Sequence, residues 1–222
     1  MQGNPARSAT SGRPDFVVMS RLESPTLSGR HVLLEPLRAG HVDEIAQAGA
    51  GDRSTFAYTQ VPDGRDEAAE YVARLLDDAT HDRAAPFVQR RTIDEVVVGC
   101  TRFLNPAWPL GRADPDEVEI GGTWLSSSAQ RTALNSEAKL LLLTHAFDVW
   151  RVQRVAICTD ARNERSRRAI ERLGTPFEGV LRRHRRSTRA GEDGELRDTA
   201  TYAITIDDWP SVRTTLVRHV ES

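Results

Sequence analysis

The sequence has little that could staple or template a fold from outside its own packing. Its 222 residues contain two cysteines, Cys100 and Cys158. Each lies in a short apolar run, Val97-Val98-Gly99-Cys100 and Val155-Ala156-Ile157-Cys158. Buried core thiols are expected there, rather than a disulfide framework or a catalytic nucleophile. The six histidines are scattered and pair with no nearby cysteine or acidic cluster, so no metal site is expected. No run approaches the roughly 20 apolar residues of a membrane span. Residues 1–19 lack the apolar segment of a secretory signal. A reduced, cytoplasmic protein without a membrane role is the expectation. Charge of one sign is missing too: the net charge is −2, which argues against a general polyelectrolyte binder and leaves local basic clusters to be judged singly.

What is present suits one soluble α/β domain. Hydrophobic residues make up 39% and charged residues 28%, and the length is enough to bury a core without disulfides or a structural metal. Residues 1–21 mix Gly, Pro, Ser, Arg and Asn and read as a flexible arm before a domain spanning 22–222. Arg30–Pro36 reads as a strand entered through Ser28-Gly29 and stopped by proline. His41–Ala50 reads as a short helix ended by Gly51, and Arg65–Thr80 as a second helix with Tyr71, Leu75 and Leu76 at helical spacing. Pro86–Arg90 and Glu95–Phe103 form a hairpin around Ile93-Asp94. Residues 105–116 read as an exposed loop, and Val118–Leu125 as a fourth strand. Its paired glycines, Gly121 and Gly122, signal a bulge or a close backbone approach.

Ser136–Trp150 carries an apolar helical face. Arg154–Thr159 follows as a fifth strand, then a short helix Glu164–Leu173 closed by Gly174. Two strands, near Glu178–Arg185 and Arg197–Ile206, complete a mixed sheet of about seven strands with helices on its faces. Strand, helix and strand around Ser136–Trp150 imply a parallel crossover.

Two segments could carry chemistry. In Leu125–Ser136 a strand gives way to a polar loop and then a helix, with Asn135 or Ser136 as its N-cap. The free amides of such a first turn and the helix macrodipole suit an anion such as a pyrophosphate, and Arg131 can add a charge-assisted contact. In Asn163-Glu164-Arg165-Ser166, Asn163 reads as an N-cap and Ser166 as a first-turn residue; a ligand-facing role requires both side chains to meet a molecule entering between strands four and five.

In order, these pieces resemble the GNAT acetyltransferases, and more narrowly the branch that includes the ribosomal-protein N-terminal acetyltransferases. The likeness rests on Glu119-Ile120-Gly121, on Gln130 to Lys139 and on Asn163 to Ser166. Leu173-Gly174 with Phe177-Glu178-Gly179, Arg197-Asp198 to Tyr202, and Asp207-Asp208-Trp209-Pro210 complete the set. It covers roughly Leu22 to Pro210. The resemblance implies a GNAT fold whose strands four and five splay apart around the pantetheine arm of acetyl-CoA or another acyl-CoA. Main-chain groups at Trp124 and Leu125 would pair with that arm. The loop Gln130, Arg131, Thr132, Ala133, Leu134, Asn135 and Ser136 would hold the pyrophosphate. Asn163 would hydrogen-bond the pantetheine, and Ser166 would assist departure of the CoA thiolate.

Three positions depart from the family pattern. Ala133 stands where the loop usually has glycine, which matters only if that residue needs positive φ. Ile170 stands where many members carry a tyrosine acid, and Arg185 where this branch carries its glutamate base. Glu119 on strand four is then the first candidate base, with Asp198 and His184 behind it. The expected activity is direct acyl transfer to a primary amine, either a peptide N-terminus or a small molecule, by a monomer or homodimer. Glu67, Glu70, Asp114, Asp116 and Glu117 could line an acidic pocket for a polycationic acceptor. The alternative is a CoA-binding module without turnover, or one associated with RNA or the ribosome. The run Arg182-Arg183-His184-Arg185-Arg186 lacks interleaved aromatics, and strand alternation splits its charges, so nucleic acid is not the expected partner.

Overall fold

The computed structural model describes residues 22–221; the arm assigned to 1–21 lies outside the described residues. One sheet of eight strands runs through the molecule in the order β1-β2-β3-β4-β5-β6-β8-β7. These are β1 (Leu27–Ser28), β2 (Val32–Pro36), β3 (Ala84–Arg91), β4 (Val97–Ala107), β5 (Glu117–Leu125), β6 (Arg154–Asp160), β7 (Phe177–Arg186) and β8 (Leu196–Thr205). The two-residue β1 adds a strand to the expected seven, so the fourth and fifth strands of the sequence reading are β5 and β6. Helices α1 (Val42–Gly49) and α2 (Gly64–Thr80) connect β2 to β3. Helix α3 (Leu134–Thr144), prolonged by a π-turn over His145–Val149, lies between β5 and β6, and α4 (Glu164–Glu171) follows β6. The chain ends in α5 (Trp209–Glu221).

Two apolar cores flank the sheet. Phe103, Ile120, Leu142, Leu143, Tyr202 and Leu216 belong to the one under α3 and α5. Ile45, Tyr71, Leu75, Val88 and Trp124 belong to the one under α1 and α2. Helix α5 was absent from the sequence reading. Its apolar residues Trp209, Val212 and Leu216 recur at helical spacing and are buried, Pro210 sits in its first turn where a missing N–H costs nothing, and Trp209 stacks on Phe147 at 5.3 Å.

The start of α3 is two residues earlier than expected. Asn135 and Ser136 are not its caps: Ala133 holds the N-cap position without a side-chain cap bond, and Leu134 opens the helix as a core residue at 2% exposure. Burying Leu134 outweighs the modest gain of a better polar cap. The helix is anchored by Glu137, a buried carboxylate. Its Oε1 accepts the amide of Arg30 at 2.7 Å, and its Oε2 accepts those of His31 and Val32 at 2.6 and 2.9 Å. The turn leading into β2 is thereby tied to the first turns of α3. Gly29 is required there, because a Cβ would lie 2.5 Å from the Glu137 carboxyl.

Glu137→Gln exchanges one acceptor oxygen for a donor facing those amides. A loss of about 1–3 kcal/mol is expected from urea denaturation; an unchanged midpoint would show that this anchor does not hold α3.

Candidate active site

Parallel strands β5 and β6 pair at Glu117–Arg154, Val118–Val155 and Glu119–Ala156, and nowhere beyond. From Ile120 onward β5 leans toward β4, and β6 continues toward β8. The cause on the β5 side is a bulge. Cys100 faces Trp124 and Arg102 faces Gly121, so Gly122 and Thr123 stand opposite Thr101 alone. Gly122 takes φ 56°, and any Cβ there would meet the Arg102 guanidinium at 2.3 Å. Glycine is therefore needed for both conformation and space. The paired glycines signalled this correctly.

The wide end of the gap meets the loop before α3. Arg131 adopts φ 61° and Ala133 φ −63°. The left-handed residue is thus Arg131, and alanine at 133 is unstrained. The Leu134 amide donates to Thr132 Oγ1 at 3.3 Å, while Thr132 Oγ1 itself donates to the Ala129 carbonyl at 2.8 Å. The amides of Asn135 and Ser136 belong to the first turn and have no acceptor within the helix. A cavity of about 280 Å³ lies against this turn, lined by Arg131, Asn135, Ser136, Arg172 and His219 among others. Free amides, a helix N-terminus and flanking cations form a polar cradle suited to a phosphate-bearing ligand.

The remaining loop residues are tied into the protein. Gln130 Nε2 donates to the Leu125 carbonyl at 2.8 Å and to Thr55 Oγ1 at 3.0 Å, and its Oε1 accepts from Arg165 at 2.7 Å. It therefore bridges the end of β5 and the start of α4. The Trp124 carbonyl accepts from Gln89 at 3.2 Å, and its indole N–H donates to the Tyr71 hydroxyl at 3.1 Å. Asn163 caps α4, its Oδ1 accepting the Ser166 amide at 3.0 Å, which leaves Ser166 half-buried in the first turn. Ile170, in place of a tyrosine, is a core residue.

At the narrow end of the gap is a second cleft of about 510 Å³, whose lining includes Asn105, Glu119, Cys158, Leu181, His184 and Arg185. Glu119 is buried at 5% exposure. Arg185 grips both its oxygens, at 2.8 and 2.7 Å, and Asn105 donates to Oε2 at 3.0 Å. His184 and Arg185 both reach this cleft because β7 bulges between Leu181 and Arg185, with Arg183 at φ 46°. The simple alternation expected for the basic run is broken there. Asp198, an expected runner-up base, is exposed and spends Oδ1 on the Arg183 amide at 2.8 Å. Cys158 is half-buried and lines the cleft rather than the core; Cys100 is in the core as expected. Burial pushes the Cys158 thiol up to about 11 and the Cys100 thiol up to about 12, so neither is a thiolate at neutral pH. The five acids proposed for a polycation pocket do not converge. Glu117 alone of them lines the cleft, and it pairs with Arg154 at 3.0 Å; Asp116 is buried beside Arg112 at 2.7 Å.

Sequence reading did not single out Lys139. It is buried under the β5 bulge, where its Nζ donates to Thr123 Oγ1 at 2.9 Å, and Thr123 and Thr101 share a hydrogen bond of 2.8 Å. Its place beside Leu142 and Leu143 on an inward helical face was the available signal.

The model of the acetyltransferase (GNAT) domain matches residues 31–175, and the chain belongs to that family. It is therefore an acetyltransferase-family protein, with the α/β GNAT fold expected from the sequence. Among solved structures, a GCN5-related N-acetyltransferase from Brucella melitensis is similar at 27% identity over 89% of this chain and 86% of that one, with a TM-score of 0.75. A protein from T. thermophilus assigned to the acetyltransferases is 33% identical over 88% of this chain and 96% of that one, with a TM-score of 0.72. The fold also matches Mycobacterium smegmatis RimJ, solved in complex with CoA-disulfide, at 22% identity, covering 88% of this chain and 94% of that one, with a TM-score of 0.72. No curated protein matches the chain. Among the described residues no helix is long and apolar enough to cross a membrane, and no group of side chains is arranged to hold a metal.

Burial pushes the Lys139 ammonium from 10.5 down to about 7. Between those values the unfolded chain carries one proton more than the folded one, so stability rises with pH across that window. Comparison with Lys139→Met isolates the effect. Stability of wild type relative to the variant should rise by on the order of a few kcal/mol from pH 7 to 10 in urea melts; a flat difference would mean the ammonium stays protonated in place.

Proposed function

We propose that this chain transfers an acetyl group, or a related acyl group, from acyl-CoA to a primary amine by direct attack. The observation that supports it most is the parting of β5 and β6 beyond Glu119 and Ala156. It leaves one edge of β5 without a strand partner, and that edge leads to the free amides of α3. Backbone groups in such a gap need partners, and the amides of a pantetheine arm supply them. Gln130, Arg131, Thr132, Ala133, Leu134, Asn135 and Ser136 form the loop assigned to the pyrophosphate, with the amides of Asn135 and Ser136 as its free donors. Trp124 and Leu125 border the pantetheine. Asn163 acts mainly through its cap, which holds Ser166 in the first turn of α4.

Acyl-CoA supplies the activated thioester, and the protein handles the protons. Glu119 Oε1 accepts one hydrogen bond, from Arg185, whereas Oε2 accepts from both Arg185 and Asn105. Each carboxylate oxygen has two acceptor sites, so Oε1 retains one for an incoming ammonium or a bridging water. In the proposed reaction Glu119 takes one proton from the ammonium. The amine nitrogen bonds to the acyl carbon, and the carbon–sulfur bond breaks. The second proton lost by nitrogen neutralises the departing thiolate with Ser166 as its hydrogen-bond donor, and Glu119 returns its own proton to solvent. The protonated state of both cysteines at neutral pH supports direct transfer over an acyl-enzyme.

Acetyl-CoA at about 100 times its dissociation constant should stabilise the protein by about 2.7 kcal/mol in thermal melts, and a panel of amines should elicit release of free CoA thiol. Stabilisation without thiol release across the panel would leave a CoA-binding module; no stabilisation would remove the CoA reading altogether. Glu119→Gln should lower kcat by roughly 10²–10⁴ with acetyl-CoA binding retained. A fall of less than threefold would move the base role to His184, the imidazole on that wall.

A further inference from the structure

Beside the narrow cleft, opposite its lining residue Arg185, stands a cation that forms no ion pair among the described residues. Arg185 on β7 and Arg197 on β8 stand directly opposite each other in the antiparallel ladder. Like charges at such positions repel. Arg185 is satisfied by Glu119 through two hydrogen bonds. Arg197 is not: its Nε is buried without a hydrogen-bond partner, and among the described residues its guanidinium forms no ion pair. The carboxylates near enough to feel it are Asp160 and Glu119. Asp160 already receives Arg162, Nε on Oδ1 at 3.0 Å and Nη2 on Oδ2 at 2.8 Å, and Glu119 receives Arg185. Burial lowers the pKa of Arg197, and Arg185 lowers it further. A buried guanidinium N–H without an acceptor is costly, and a planar oxyanion is the partner the guanidinium fork suits.

The electrostatics of the cleft agree. Its wall carries two carboxylates, Glu117 and Glu119, each already paired with an arginine, Arg154 and Arg185. Arg197, which also interacts with the lining residue Cys158, adds a positive charge that no carboxylate pairs with directly, and His184 adds an imidazole. A second ammonium on the acceptor would meet no free acid here.

We propose that the acceptor amine carries an oxyanion of its own, a carboxylate or a phosphate, which pairs with Arg197 while the amine lies at Glu119. This rests on the acyltransfer reading given above. Residues directly opposite on an antiparallel pair have Cα atoms about 5 Å apart, so Arg197 stands close to the Arg185–Glu119 pair. The two groups of the acceptor are therefore separated by a few bonds, as in short amino acids or amino-alkyl phosphates.

The test compares acceptors of matched length with the full chain and acetyl-CoA, reading thiol release. One set is 4-aminobutyrate, butylamine and putrescine; the other is O-phosphoethanolamine and propylamine. The oxyanion-bearing members should exceed their alkylamine and diamine counterparts at least tenfold in kcat/KM, and the two sets show which oxyanion is taken. Arg197→Met should reduce that preference at least tenfold without lowering the thermal midpoint, because it removes an unsatisfied charge. Equal or better turnover of putrescine, with acetyl-CoA stabilisation intact, overturns the anion site and leaves the transferase standing. Absence of acetyl-CoA stabilisation overturns both. If no amine in the panel is turned over, thermal titration with glutarate and with inorganic phosphate decides: stabilisation of wild type but not of Arg197→Met supports the site, and identical curves overturn it.

Discussion

The two halves of the sheet are joined along three residue pairs between β5 and β6. Five strands lie on one side of that seam and three on the other. A parallel contact this short contributes little by itself, so other elements must hold the halves in register. Helix α3 crosses between the two strands, fixed at its start by Glu137. Two arginines fasten the narrow end: Arg154 binds Glu117 on β5 and Glu178 on β7, and Arg185 on β7 binds Glu119 on β5. The last pair matters most, because the Glu119 side chain is only 6% exposed and breaking one partner would strand the other in a dry setting. With the narrow end fastened and the bulge at Gly122 bending β5 away, the wide end has no route to closure. The gap is thus a product of where the sheet is fastened.

Much of this was legible because it depends on neighbours in sequence. The hairpin of β3 and β4, the crossover through α3, the Asn163 cap and the glycine bulge all rest on local pattern. So did the loop before α3, although its helix starts at Leu134 because burying that leucine outweighs a polar cap. Helix α5 was missed although Trp209, Val212 and Leu216 carry its period; Asp207-Asp208-Trp209-Pro210 was read only as a terminal match. The narrow cleft was legible only in part. Glu119 and Arg185 are 66 residues apart, and the bulge that turns His184 and Arg185 to the same cleft has no glycine to announce it. Arg183 takes the left-handed conformation instead, steadied by Asp198.

The same difference separates the two ends of the gap chemically. At the wide end the available groups are main-chain amides and a helix terminus, and these tolerate sequence change as long as the backbone is kept. Ala133 illustrates it: the residue that stands where the family usually has glycine falls at φ −63°, a conformation alanine adopts without strain. At the narrow end the available groups are side chains on β5, β7 and β8, and one exchange alters the charge.

A buried charge balance then limits what can enter. Lys139 lies under the bulge with a single hydroxyl partner, and burial keeps it at the edge of neutrality. The thiols of Cys100 and Cys158 remain protonated at neutral pH. Glu117 and Glu119 are each matched by an arginine. Arg197 cannot escape in the same way, since a guanidinium stays charged under almost any condition. Its placement opposite Arg185 sets two like charges side by side, an arrangement that a counter-charge would ease. In the proposed reading an anion pairing with Arg197 brings the remainder of its molecule to Glu119, at the end of the gap where β5 and β6 are still joined.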